Sequence, residues 1–164
     1  MKYVFTLFLV VQSAVSGWEY RIRTDPITDV VTKAIYTGAN SIVGVNSHNE
    51  KPVLFIRVYE DGEDTAMEIG IGWPSGLPME EPIQCITRVD QETPITYELH
   101  PEPLNRDTYF QPNGILDELF EKMLIGNEFV IRFTPENSYP ITAIFSLQGM
   151  TDAANSACLG NEGE

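Results

Sequence analysis

The sequence predicts an α+β fold rich in β: mostly antiparallel sheet or sandwich, with two short helices in the C-terminal half. Three observations carry that expectation. Period-two runs of β-branched and aromatic residues recur along the chain. Short turn signals join them, which favours antiparallel pairing of neighbours. Two stretches, both late, switch to helical periodicity.

The elements follow in order. "WEYRIRT" alternates apolar and charged residues as a half-buried strand does, and "DPITD" turns the chain, with Pro26 fixing the backbone and Asp25 placed to cap it. "VVTKAIYTGA" reads as a second strand and "NSIVGVNSHNEK" as a third with a polar turn. "PVLFIRVY" is β-branched and aromatic, a central strand. Asp61-Gly62 then signals a hairpin into "MEIGIGW". After the Pro- and Gly-rich "PSGLPMEEP" come the strands "IQCITRV" and "ITYEL", parted by "DQETP", then the loop "HPEPLNRD" and a short strand at "TYF".

"GILDELFEKML" is the clearest helix. Ile115, Leu116, Leu119, Phe120, Met123 and Leu124 share one face, with Asp117, Glu118, Glu121 and Lys122 on the other. Asn113-Gly114 starts it and Gly126 stops it. The strands "EFVIRFTP" and "ITAIFSL" follow. A closing helix runs from about Gly149 to Cys158, with Met150, Ala153, Ala154, Ala157 and Cys158 on one face and Gly160 as its stop. The chain shows no internal repeat and no dividing linker.

A chain of 164 residues, 43% hydrophobic, suits one domain with a proper core. Its first 17 residues stand apart. Lys2 gives a positive start, Tyr3 to Val11 an apolar run too short to span a bilayer, and Ala14, Ser16 and Gly17 a small-residue cleavage region. The expected organisation is a signal peptide at 1–17, a single β-rich domain at 18–160 and a disordered tail at 161–164. Cleavage after Ser16 and after Gly17 both fit, and the expected location is periplasmic or secreted. The net charge of −14 becomes one unit more negative when Lys2 leaves. Such a surface repels phosphate backbones and anionic bilayers, so nucleic acid is not expected as a partner, and no segment is long enough for an integral membrane span.

In an oxidising compartment the two cysteines, Cys85 and Cys158, invite pairing. The bond would close a loop of about 70 residues, worth roughly 4 kcal/mol by chain entropy. Two unpaired buried thiols are the other reading.

Motifs for reaction chemistry are missing. The sequence has no G-x-S-x-G, S-x-x-K, H-E-x-x-H or paired C-x-x-C, and its two histidines, His48 and His100, fall in polar stretches. Glu60, Asp61, Glu63 and Asp64 lack the spacing of a calcium loop and suit a solubilising hairpin tip. "GIGWPSG" opens no helix and carries no lysine, so it is no phosphate loop. No catalytic residue, metal or cofactor is expected. Aromatics beside loops remain: Trp73, Tyr109 and Phe110, with Tyr139, are candidates for a binding surface, or else tuck over the rim of the core.

The order of several short motifs resembles a known family. These are Trp18 near the expected mature start, "DPITD", "PVLFIR", "TRVD" (Thr87 to Asp90), "ILDELFEKML", "FVIRFTP", and a last strand passing through Gly149 into a helix with Cys158. Together they are similar to the VasI/TagO-type accessory proteins associated with type VI secretion, and to related small exported proteins of bacteria and their phages. In that pattern a cysteine follows the arginine of the apolar strand. Here Val58 follows Arg57, and the upstream cysteine stands at Cys85 instead. The resemblance implies a non-enzymatic accessory protein of the cell envelope that binds a protein partner. An inhibitor or immunity-type protein that binds a basic partner, and a small carboxylate-dependent envelope hydrolase, are the rival expectations.

Overall fold

The computed structural model describes residues 17–44, 51–73, 81–101, 107–111, 116–134, 139–157 and 159, and for 107–111, 116 and 117 the backbone alone. The expected signal segment up to residue 16 and the expected tail lie outside the described residues. The fold is the β-rich α+β, sandwich-like class that the alternation predicts.

Among the described residues ten strands and two helices follow in the order the sequence predicts: β1 (Glu19–Thr24), β2 (Val31–Gly38), β3 (Ser41–Val43), β4 (Val53–Asp61), β5 (Asp64–Gly72), β6 (Ile83–Val89), β7 (Ile95–Pro101), β8 (Asp107–Gln111), α1 (Leu116–Ile125), β9 (Glu128–Phe133), β10 (Ile141–Ser146) and α2 (Met150–Ser156). Asp25 caps the first turn as expected: its Oδ1 accepts the amides of Ile27 and Thr28 at 2.8 and 3.0 Å. Those two bonds hold its carboxyl below the usual range. The β4–β5 hairpin turns on Gly62, at φ 63, with Asp61 opposite Asp64. His100 sits within β7, not in a loop, because the strand extends through Pro101.

Every recorded pairing is antiparallel, in the continuous order β1-β2-β4-β5-β8-β7-β6-β9-β10-β3. That sheet is not flat. Trp73, just after β5, packs edge-on against Phe133 of β9, with centroids 6.4 Å apart. A flat sheet would hold strands four places apart roughly 19 Å from each other, at about 4.8 Å per step. The sheet therefore folds over and its inner rows meet in one core. On one half Ile35, Ile56 and Ile69 stand in register, with Leu54 beside Ile71. On the other, Val89, Phe129 and Phe145 form one row and Thr87, Ile131 and Ala143 the next.

The two ends of the strand order also meet. β2 lies second from one end and β3 is last at the other, yet only Ala39 and Asn40 separate them. Asn40 binds β10 twice: its amide donates to Ile144 O at 2.8 Å, and its Oδ1 accepts the Ser146 amide at 3.0 Å. The Trp18 indole then donates to Ser146 O at 2.9 Å, across 128 positions of sequence.

The helices cover the remaining opening. Leu119, Phe120 and Met123 of α1 are buried, as are Met150, Ala153 and Ala154 of α2. The small alanine face lets α2 lie close to α1, β1 and β2. Gly126 ends α1 where a Cβ would fall 2.4 Å from Val89 Cγ1, so only glycine fits there. Asp90, at φ 47, locks β6 to the start of β9: its carboxylate accepts the Asn127 and Glu128 amides at 3.0 and 2.9 Å.

Trp18 is 1% exposed and makes the seam's only indole bond among the described residues. Trp18→Ala is expected to cost about 3–5 kcal/mol in urea unfolding, and Trp18→Phe, which loses chiefly the N–H donor, about 1–3 kcal/mol.

Candidate interaction face

The aromatics singled out in the sequence part company. Trp73 is 4% exposed and belongs to the core, where its ring meets Phe133, so it offers no contact surface. The large apolar area it buries outweighs its position next to a loop. Tyr109 stands at the register position between Gly70 and His100, and Phe110 opposite Leu99; their side chains lie outside the description. The two positions therefore belong to opposite faces of the sheet. Tyr139 is exposed. Cys85 is a buried free thiol on the inner face of β6, and Cys158 lies outside the described residues.

Two outward faces remain. On β1, β2, β4 and β5 the outer rows are Glu19–Tyr36–Phe55–Gly70, Arg21–Ala34–Arg57–Glu68 and Arg23–Thr32–Tyr59–Ala66. Here charges and aromatics satisfy one another. The Arg57 guanidinium lies 4.1 Å from the centroid of Phe55 and 3.2 Å from Glu68, which also accepts the Tyr59 hydroxyl at 3.0 Å. The Tyr36 hydroxyl donates to Glu19 at 2.8 Å. Stacked and paired groups of this kind make a finished surface.

The outer face of β6, β9, β10 and β3 differs. One row reads Ile86, Arg132, Thr142, Val43, and the next Arg88, Val130, Ile144, Ser41. Strand alternation puts all eight on the side away from the core, where Phe129, Ile131 and Phe133 point inward. Ile86 is 49% exposed and Val43 62%; Val130 and Ile144 are half-buried. These two rows contain two arginines and no carboxylate, in a chain of net charge −14; exposed Glu128, in the next row along β9, is the carboxylate that borders them. Arg132 is held in place by its Nε–H bond to Thr142 Oγ1 at 2.9 Å. Arg88 has its Nε buried and bonded to nothing among the described residues. Sequence reading missed this face, because each strand contributes only two of its residues. The signal lay in the solvent-side positions of "IQCITRV" and "FVIRF", where Ile86, Arg88, Val130 and Arg132 stand.

Ionisable groups gather elsewhere, under α1. Lys122 sits 2.9 Å from Glu118 and 3.3 Å from Glu92, and both carboxylates raise its pKa, Glu118 the more. Burial pushes the neighbouring Tyr97 hydroxyl up, with Glu118 adding to the effect. Burial likewise drives the Cys85 thiol up to about 12. A thiol so strongly protonated is no nucleophile at neutral pH. No group of three or more metal-ligating side chains occurs among the described residues, nor a helix long and apolar enough to cross a membrane. Comparison with family models, curated proteins and solved structures matches the chain to nothing.

The raised values fix a pH dependence. Cys85 ionises near 9 in the unfolded chain and near 12 when folded, so above pH 9 the unfolded state sheds its proton first. With the thiol kept reduced, the contribution of Cys85 is expected to be flat below pH 9. It should then fall by at most about 1.4 kcal/mol per pH unit towards 12, and Tyr97 should add to the loss above 10. Urea melts at pH 7.5, 9.5 and 11 test this, and Cys85→Ala should flatten the first part of the decline.

Proposed function

We propose that this chain is an exported, non-enzymatic binding domain of the bacterial cell envelope, an accessory factor that holds a protein partner on the arginine–aliphatic face of β6, β9, β10 and β3. The single observation that carries the binding reading is that face. It is an ordered surface with half-exposed Ile86, exposed Val43 and two arginines lacking any carboxylate in its two rows. Apolar patches with arginine are what protein interfaces favour at their centres. The resemblance to secretion-associated accessory proteins supports the envelope setting, and so does the leader pattern.

The geometry at the start of the domain bears on where the leader would end. The Gly17 carbonyl accepts the Thr37 hydroxyl at 2.9 Å, and Thr37 is 6% exposed. Cleavage after Gly17 would orphan that hydroxyl at a cost of about 1–3 kcal/mol. Cleavage after Ser16 keeps the bond, and we favour it. Export would also bring Cys85 into an oxidising compartment together with Cys158, where pairing of the two is expected.

Protein secreted from a bacterial host is expected to begin at Gly17 by intact mass, with both cysteines blocked until reductant is added. A chain that keeps its first 16 residues with two free thiols would contradict export. For the binding face, Ile86→Asp, at a half-exposed position, and Val130→Thr, which keeps the β-branched shape, are expected to cost no more than about 1 kcal/mol. They should also abolish cross-linking to the envelope partner that the unaltered domain captures; unchanged cross-linking would contradict the choice of face.

A further inference from the structure

The partner's chemistry can be narrowed, on the premise that the face just described is a docking surface. We infer that Arg88 and Arg132 are carboxylate-reading groups, and that the occupant is an acidic protein segment lying between Ile86 and Val130. Arg88 has donor capacity left over: a guanidinium carries five N–H donors, none of which has an acceptor among the described residues, and with the Nε shielded from water it is the Nη end that a partner can reach. A planar carboxylate is the acceptor that its fork matches in two parallel bonds. Arg132 spends its Nε on Thr142, which fixes the group's direction.

Spacing agrees. Arg88 faces Val130 in register and Arg132 stands two residues further along β9, a cross-strand diagonal. Such diagonals separate Cβ atoms by roughly 7–8 Å. Side chains two residues apart on an extended segment lie about 6.6–6.8 Å apart. One extended segment with acids at alternate positions therefore meets both arginines at once, and it passes between Ile86 and Val130, the other two corners of that square.

Charge narrows the occupant further. A second copy docked face to face would bring Arg88 and Arg132 against their own kind, between two chains of net charge −14. An anionic bilayer would meet that charge over a broad front, whereas a narrow protein segment meets only the face. Interactions with the rest of the domain are screened over about 8 Å at physiological ionic strength.

The test uses the whole mature domain with labelled methyl groups and three synthetic peptides: Val-Ser-Glu-Ser-Glu-Ser-Val and its Gln and Lys counterparts. The Glu peptide is expected to shift the methyl signals of Ile86, Val130 and Ile144, and to bind roughly tenfold more tightly than the Gln peptide. The Lys peptide should leave those signals in place, and R88Q together with R132Q should erase the preference for Glu. Equal binding of the Glu and Gln peptides to the unaltered domain would overturn the carboxylate inference and leave the docking surface standing. If no peptide moves those methyl signals, the inference is overturned and the choice of face loses its support. Phosphatidylglycerol vesicles that shift the same signals where the Glu peptide does not would overturn it in favour of a lipid surface.

Discussion

Ala39 and Asn40 join the second strand at one end of the sheet to the last strand at the other, and the rest of the molecule is shaped around that short bridge. A ten-stranded antiparallel sheet would ordinarily end in two open edges and expose one face of its apolar rows. Here the bridge is too short for the sheet to stay open. It draws β10 against the end of β2, and Asn40 fastens the contact through its amide and its side-chain oxygen. The Trp18 indole adds a third bond to the same stretch of β10. Closure turns the inner rows of both halves towards each other, so Trp73 can reach Phe133 and a single core forms.

Closure also decides what remains outside. The half made of β1, β2, β4 and β5 covers its outer side with groups that satisfy one another, Arg57 over Phe55 and against Glu68 being the clearest case. The half made of β6, β9, β10 and β3 leaves Ile86 and Val43 exposed beside a half-buried arginine with no acceptor among the described residues. Edge strand β3 contributes to this face only because Asn40 places it beside β10. Asp90 supports the same face from below by tying the end of β6 to the start of β9, the two strands that carry Arg88 and Arg132. The "TRVD" motif is thus structural at its aspartate and functional, in the proposal made here, at its arginine.

Much of this architecture was legible in the sequence. Period-two alternation in "WEYRIRT", "IQCITRV" and "EFVIRFTP", and the Asp61-Gly62 signal, gave the strands and the hairpin, because those patterns depend only on neighbours in the chain. The helix at "ILDELFEKML" was equally plain. What the sequence withheld depends on distant pairing. β8 slips between β5 and β7, and β3 closes onto β10, through registers that no local pattern encodes. Trp73 looked like a loop aromatic because its partner Phe133 is 60 positions away. Ile86 and Arg132 looked like ordinary strand residues until their pairing placed them side by side.

Amide hydrogen exchange at Asn40 and Ser146, residue by residue under native conditions, tests the central claim most directly. If the seam closes the sheet, both amides exchange only through global unfolding, with the same protection as the core amides of β9. Fast exchange at both, while β9 stays protected, would mean that the sheet is held shut elsewhere and that the seam is a surface contact.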